Sequence, residues 1–68
     1  MQATAVLTPA REGGYTAYNP ETGTVSEGET VEEAVANLRE AVELYLEEFP
    51  DATTGPALVT TFTVAEHA

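Results

Sequence analysis

An α+β domain with the element order β-β-β-α-β is the fold that this sequence predicts, and three observations support it. Several short segments alternate apolar and polar residues, as half-buried strands do. One long segment repeats apolar residues at spacings of three and four, as amphipathic helices do. Turn sequences that contain glycine or proline separate these segments. The predicted elements are strands at Gln2–Thr8, Tyr15–Tyr18, Thr24–Glu27 and Leu58–Val64, and a helix over residues 30–48.

The first two strands are predicted to form a hairpin. In Gln2–Thr8 one face of the extended chain carries Ala3, Ala5 and Leu7. Pro9 is expected to end this strand, because proline lacks a backbone N–H donor. The pair Gly13-Gly14 indicates a turn that leads into the short aromatic strand Tyr15–Tyr18.

The third strand and the helix follow two further turn signals. Asn19-Pro20-Glu21-Thr22-Gly23 is typical of a turn and precedes the strand Thr24–Glu27. Thr30 and Glu33 have the spacing of a capping box, so the helix is predicted to begin at Thr30 and to stop before Pro50. The predicted apolar stripe of the helix consists of Val31, Ala34, Val35, Leu38, Ala41, Val42, Tyr45, Leu46 and Phe49.

The last strand determines the predicted sheet order. Leu58–Val64 alternates in the manner of a strand, and we expect it beside the first strand, in the order 3-2-1-4 of a mostly antiparallel sheet. A single helix covers one face of such a sheet and leaves the other face bare. The Thr-rich last strand also has few features that block pairing at an edge. Both features predict that a partner or a second copy of the chain binds, so a homo-oligomer is expected.

Composition limits the class of protein. The 68 residues form one predicted domain, residues 1–68, with residues 65–68 expected to fray. Cysteine is absent from the sequence, which excludes disulfides and thiolate metal sites. The sequence has no apolar run near the ~20 residues that span a bilayer. It also lacks the basic start of a signal peptide, so a cytoplasmic protein is expected.

Charge further limits the partners. Twelve Asp and Glu residues stand against Arg11 and Arg39, which gives a net charge of −10. This charge repels phosphate backbones and anionic membrane surfaces, so neither nucleic acid nor membrane is expected as a direct partner. A basic protein would be attracted. Solubility alone is the alternative explanation of the acidity.

The sequence contains no recognisable catalytic arrangement, and we expect no enzymatic activity, metal or cofactor. The single histidine, His67, lies in the tail that is expected to fray, where no fixed carboxylate holds it. The glutamates of the helix are interpreted as a solvated face. A metal-dependent nuclease needs carboxylates on central strands, and the first strand, Gln2–Thr8, has none.

Several short motifs follow one another in a characteristic order: Gly13-Gly14-Tyr15, then Gly28-Glu29-Thr30, then Glu32-Glu33-Ala34 with Asn37 and Glu40-Ala41. In this order and spacing, from about Val6 to Phe49, they resemble the HicB antitoxin family. The resemblance implies a partial RNase H-like fold of order β-β-β-α-β. The turn at residues 19–23 departs from the family pattern, because it lacks the second proline and the cysteine.

The same resemblance implies a function. HicB proteins bind and mask HicA toxins, which are small basic enzymes that cleave mRNA. Longer HicB proteins also carry a DNA-binding module. The 68 residues of this chain include no such module, so we expect no operator binding from them. The alternative hypothesis is an orphan regulatory or structural domain that associates with itself and has no toxin.

The residues that contact a partner are predicted on the bare face of the sheet and its adjoining turns. Tyr18 is the expected anchor, because aromatic side chains dominate interface energetics. Packing of Tyr18 within the domain is the alternative interpretation. The predicted partner-binding residues are Thr4, Val6, Tyr18, Glu21, Glu27 and Glu29.

Overall fold

A computed structural model describes residues 1–66 and shows one helix packed on a three-stranded antiparallel sheet. The strands are β1 (Val6–Pro9), β2 (Tyr15–Asn19) and β3 (Thr24–Gly28), and the helix is α1 (Val31–Glu48). Within the sheet the strands lie in the order β1-β2-β3. The predicted α+β class, with three strands followed by one helix, is confirmed. His67 and the end of the tail predicted to fray lie outside the described residues.

The hairpin between β1 and β2 forms as predicted. Its register pairs Val6 with Tyr18 and Pro9 with Tyr15. Gly13 and Gly14 have φ values of 105° and 76°, which side chains other than glycine rarely adopt. The paired glycines therefore supply the backbone conformation that reverses the chain.

Strand β1 differs from its predicted range. It begins at Val6 rather than Gln2, and Pro9 lies within it. The residues before Val6 are held by side chains instead of a strand ladder: Asn19 Nδ2 donates to the carbonyl of Thr4 over 2.8 Å. Pro9 is tolerated because β1 is an edge strand, where a missing donor leaves no broken ladder.

Helix α1 begins and ends where the sequence predicts. The Thr30 hydroxyl accepts the Glu33 N–H over 3.1 Å, and the Glu33 carboxylate accepts the Glu29 N–H over 3.0 Å. The first bond satisfies one of the donors that a helix start leaves unpaired, and the second ties the residue before the cap to the first turn. The Phe49 N–H closes the last turn on the carbonyl of Tyr45. Among the described residues, no helix has the length and apolar character needed to cross a membrane.

The core lies between α1 and one face of the sheet. Its buried members are Ala17, Ala34, Leu38 and Val42. Partly buried apolar side chains pack around them, namely Ala5, Leu7, Tyr15 and Leu46. The helix packs mainly over β3 and β2, so it leaves the β1 side of the sheet less covered. The other members of the predicted stripe are less covered, and Val35 and Phe49 are exposed.

Two glycines allow the helix to approach the sheet closely. A Cβ on Gly28 would lie 2.8 Å from the carbonyl carbon of Glu33 and 2.9 Å from the Cα of Ala34. A Cβ on Gly14 would lie 2.6 Å from the carbonyl oxygen of Gly28. The hairpin, β3 and the first turn of α1 therefore meet at backbone contact distance. Side chains at either glycine would push these elements apart.

The predicted fourth strand, Leu58–Val64, and the sheet order 3-2-1-4 are wrong for the single chain. Residues 58–64 form no strand in the described part of the chain, and all of them are exposed. Alternation of apolar and polar residues predicts an extended backbone, but it carries no information about which edge, or which molecule, supplies the pairing.

Substitution of Gly28 by alanine tests the close approach. We expect Gly28→Ala to lower the free energy of unfolding by about 1–3 kcal/mol, because overpacking at a backbone contact forces the helix outward. Gly55→Ala is the matched control, since a Cβ there meets no atom within 4 Å. Urea unfolding followed by circular dichroism measures both. Equal stability of the two variants would contradict the packing role of Gly28.

Candidate functional site

The face of the sheet opposite α1 carries an apolar row that crosses all three strands. The register pairs Val6 with Tyr18 and Tyr18 with Val25. Successive residues of a strand point to opposite faces. Since Leu7 and Ala17 pack toward the core, Val6, Tyr18 and Val25 lie together on the other face. We call this face the open face.

The apolar row is accessible to a partner. Tyr18 is 42% exposed and Val25 is 57% exposed, whereas Val6 is partly buried. Sequence reasoning missed Val25. Its signal was available, because strict alternation through Thr24–Gly28 puts Val25 and Glu27 on one face. The row is a cross-strand triplet with one aromatic side chain at its centre.

Carboxylates border the open face at its end nearest the first hairpin. In register, Thr16 lies opposite Glu27, one row beyond Tyr18. A shallow hollow of about 350 Å³ adjoins this end, and its lining includes Glu12, Glu27, Glu29 and Glu33. The open face therefore combines an apolar centre with an acidic border.

Glu21 occupies a different place from the exposed turn in which the sequence suggested it. Its side chain is 3% exposed. Oε1 accepts hydrogen bonds from the Thr4 N–H at 2.7 Å and from Asn19 Nδ2 at 2.6 Å. Oε2 accepts from the Thr4 hydroxyl at 2.6 Å and from the Ala57 N–H at 3.0 Å. The carboxylate thus joins three separate segments of the chain.

Asn19 completes this network from the end of β2. It is fully buried, and its Oδ1 accepts from both the N–H and the hydroxyl of Thr22, at 2.9 and 2.6 Å. An asparagine that bonds to the backbone a few residues later is typical of a turn. The turn at residues 19–23 is therefore fixed by its own side chains.

Hydrogen bonds to the ionised form lower the pKa of Glu21 from its ordinary value of 4.5 to about 2. The Thr4 hydroxyl has the largest effect, followed by the Thr4 N–H, and the Ala57 N–H and the Asn19 amide add to it. Burial acts in the opposite direction. Glu21 is consequently an ionised structural group throughout the neutral range.

The six predicted partner-binding residues therefore fall into two groups. Val6, Tyr18 and Glu27 lie on the open face, and Glu29 follows at its acidic border. Thr4 and Glu21 instead bond to each other inside the domain. Partner contact itself stays a prediction for all six residues. Within residues 1–66, no three His, Cys, Asp or Glu side chains are grouped so as to hold a metal ion.

The depressed pKa of Glu21 predicts a loss of stability in acid. Its folded-state pKa lies near 2 and its ordinary value is 4.5. Ionised Glu21 therefore stabilises the fold fully above pH 4.5, and this contribution disappears as the pH falls from 4.5 to about 2. We expect Glu21→Gln to lower the urea midpoint at pH 7.

The same variant should flatten the dependence of stability on pH within that window. A glutamine amide cannot accept all four hydrogen bonds, and it does not titrate. Glu40→Gln, a change at an exposed helix position, provides the control for the loss of one negative charge. Urea midpoints measured from pH 2 to pH 7 check this. An unchanged acid slope in Glu21→Gln would contradict the role of this carboxylate.

Comparison with known proteins identifies a relative that matches the greater part of the chain. The chain is similar to the UPF0150 protein ssr1765 of Synechocystis sp. (strain ATCC 27184 / PCC 6803 / Kazusa), with 47% identity over 45 residues. The matched part covers 65% of this chain and 57% of that protein, so the chain spans less than two thirds of its relative. No family model matches the sequence. No solved structure matches it either.

Proposed function

We propose that the chain is a HicB-like binding protein that masks a small basic toxin of the HicA type, an enzyme that cleaves mRNA. The observation that carries the proposal is the open face, where the apolar row of Val6, Tyr18 and Val25 lies beside carboxylates. The UPF0150 family is the HicB-like family, so the similarity to ssr1765 supports the same interpretation.

The apolar row fits the centre of a protein interface. Interfaces concentrate their binding energy in a few residues near the centre, and tyrosine is among the commonest of them. Tyr18 lies between two valines of neighbouring strands, so a partner that covers the row removes one continuous apolar surface from water. Scattered single apolar residues on a surface would not have this property.

The acidic border fits a basic partner. Glu27 and Glu29 are exposed beside the row, in a chain with a net charge of −10. Complementary charge accelerates encounter and fixes the orientation of the complex, although it contributes less to affinity. High salt should therefore slow association more than it speeds dissociation.

Binding, rather than catalysis, is the role we propose. Glu21 is the one buried carboxylate among the described residues, and four hydrogen bonds hold it ionised. A general acid or base needs a pKa near the working pH, and a pKa of about 2 is far below that range. The β-β-β-α order agrees with the first four elements of the partial RNase H-like unit. The proposal places the chain in the cytoplasm, where mRNA is available.

The direct test is to mix the full chain with the product of a neighbouring gene that encodes a small basic HicA-like protein. We expect a stable complex by calorimetry and loss of RNA cleavage by the toxin as the chain is added. Absence of a complex, or undiminished cleavage at saturating chain, would refute the proposal.

Tyr18→Ala tests the open face within that complex. We expect binding to weaken by about tenfold or more, because the central anchor of the interface is removed. The free energy of unfolding should fall by less than about 1 kcal/mol, since the side chain is half exposed and loses only cross-strand contacts. Leu44→Ala, an exposed apolar residue on the helix, is the matched control and should bind normally. Equal loss of stability and of binding in Tyr18→Ala would contradict the assignment.

A further inference from the structure

Residues 58–64 carry the most exposed apolar side chains in the described chain. Leu58 is 91% exposed and Phe62 is 85% exposed, and Val59 and Val64 are also exposed. No backbone hydrogen bond joins this segment to a strand of the described structure. Removal of a leucine or phenylalanine side chain from water is strongly favourable. Contact with another apolar surface would therefore stabilise this segment.

A groove along the β1 side of the core offers such a surface. Because α1 packs mainly over β3 and β2, a cavity of about 390 Å³ remains between the helix and the residues that lead into β1. Its lining is mainly apolar and includes Ala3, Ala5, Val35, Leu38, Val42 and Leu46, with Arg39 and Glu43 among its polar members. Beside it, β1 is an edge strand whose outer backbone groups are available for pairing.

Segment and groove are complementary in size and pattern. Ala3 and Ala5 are small, and they leave space on the sheet side of the groove. In an extended segment, Leu58 and Phe62 point to the same face, about 13 Å apart at ~3.3 Å per residue. Two large side chains at that spacing suit a groove between a strand and a helix. The opposite face of the segment carries Val59, Thr61 and Thr63, so it is more polar than the face of Leu58 and Phe62.

The segment does not occupy the groove of its own copy, since none of the residues that line the groove belongs to it. The Ala57 N–H is tied to Glu21 Oε2 at 3.0 Å, and the Thr54 N–H to the carbonyl of Glu21 at 3.1 Å. Beyond this anchor all of residues 58–64 are exposed, and the longest dimension of the molecule is 48 Å, against ~27 Å for an 18-residue helix. Donor segment and acceptor groove are thus both present in one copy and do not meet there.

The absence of charge on the segment allows a second copy of the chain to supply the segment that fills the groove. Two chains of net charge −10 repel each other over most of their surfaces. Residues 57–65 contain no charged side chain, so this stretch approaches another acidic molecule without burying a carboxylate. A basic partner is better suited to the acidic border of the open face.

We propose that two copies of this chain form a dimer by exchanging residues 58–64. In this dimer the segment of each copy adds as a fourth strand along β1 of the other, with Leu58 and Phe62 in the groove. Because each copy donates its segment to the other, the same contact forms twice and no further copy can be added. With two segments and two grooves, the buried area is on the order of the 1,200–2,000 Å² of specific interfaces. The dimer concerns the free chain, so its test is independent of the toxin.

Oligomeric state is the first test, on the pure full chain by sedimentation equilibrium. We expect a dimer of two 7.2-kDa chains. Phe62→Asp should raise the dissociation constant at least about tenfold, because a carboxylate would enter the groove. Thr61→Asp adds the same charge on the solvent face and should leave the dimer intact. Circular dichroism checks that both variants are folded. A monomer at all concentrations, or equal effects of the two variants, would overturn the proposal.

A disulfide test distinguishes exchange from folding back, since the sequence contains no cysteine. The double variant Ala5→Cys with Thr60→Cys keeps both apolar anchors and puts one thiol in the groove and one on the inserted face. Oxidation should give a covalent dimer that a reductant separates. The control pair, Ala5→Cys with Thr61→Cys, should cross-link much less. A disulfide within one chain, or no disulfide at all, would refute the exchanged arrangement.

Discussion

The buried carboxylate of Glu21 is the interaction on which the architecture of this small domain depends. It bonds to Thr4 before β1, to Asn19 at the end of β2 and to Ala57 beyond the helix. Without these bonds, the three segments would have little to hold them, because the buried apolar core is only four side chains. The same bonds fix Thr4 in the wall of the groove and hold Ala57, the residue before the exposed segment 58–64. Fold, groove and exposed segment thus share one anchor.

The residues that carry the family resemblance are explained largely by packing. Gly14 of the first run and Gly28 of the second approach each other's backbone, and Gly28 also meets the start of α1 at Ala34. Thr30 and Glu33 cap that helix. These positions therefore specify the junction of hairpin, strand and helix. Under the proposed function, partner choice would therefore depend on residues that the fold leaves free, such as those of the open face.

Local signals predicted the local elements well, and distant contacts account for what was missed. The helix from Val31 to Glu48 follows from its cap and its periodicity. The role of Glu21 could not be predicted, because its partners lie 17 and 36 positions away. The place of Val25 on the open face could have been predicted by extending the alternation of faces through β3. Residues 58–64 carry no local signal that specifies a pairing partner, since an edge in the same molecule or in another one satisfies the same alternation.

The two proposed contacts are compatible, and strand exchange would enlarge the open face. A strand added along β1 extends the sheet sideways and does not cover either face. Its solvent side would present Thr61 and Thr63 beside β1, in continuation of the row through Val6 and Tyr18. Each dimer would then offer two such widened faces, related by symmetry. If the proposed toxin complex forms, two toxin molecules would bind without competing with the dimer contact, and each would meet a wider sheet surface.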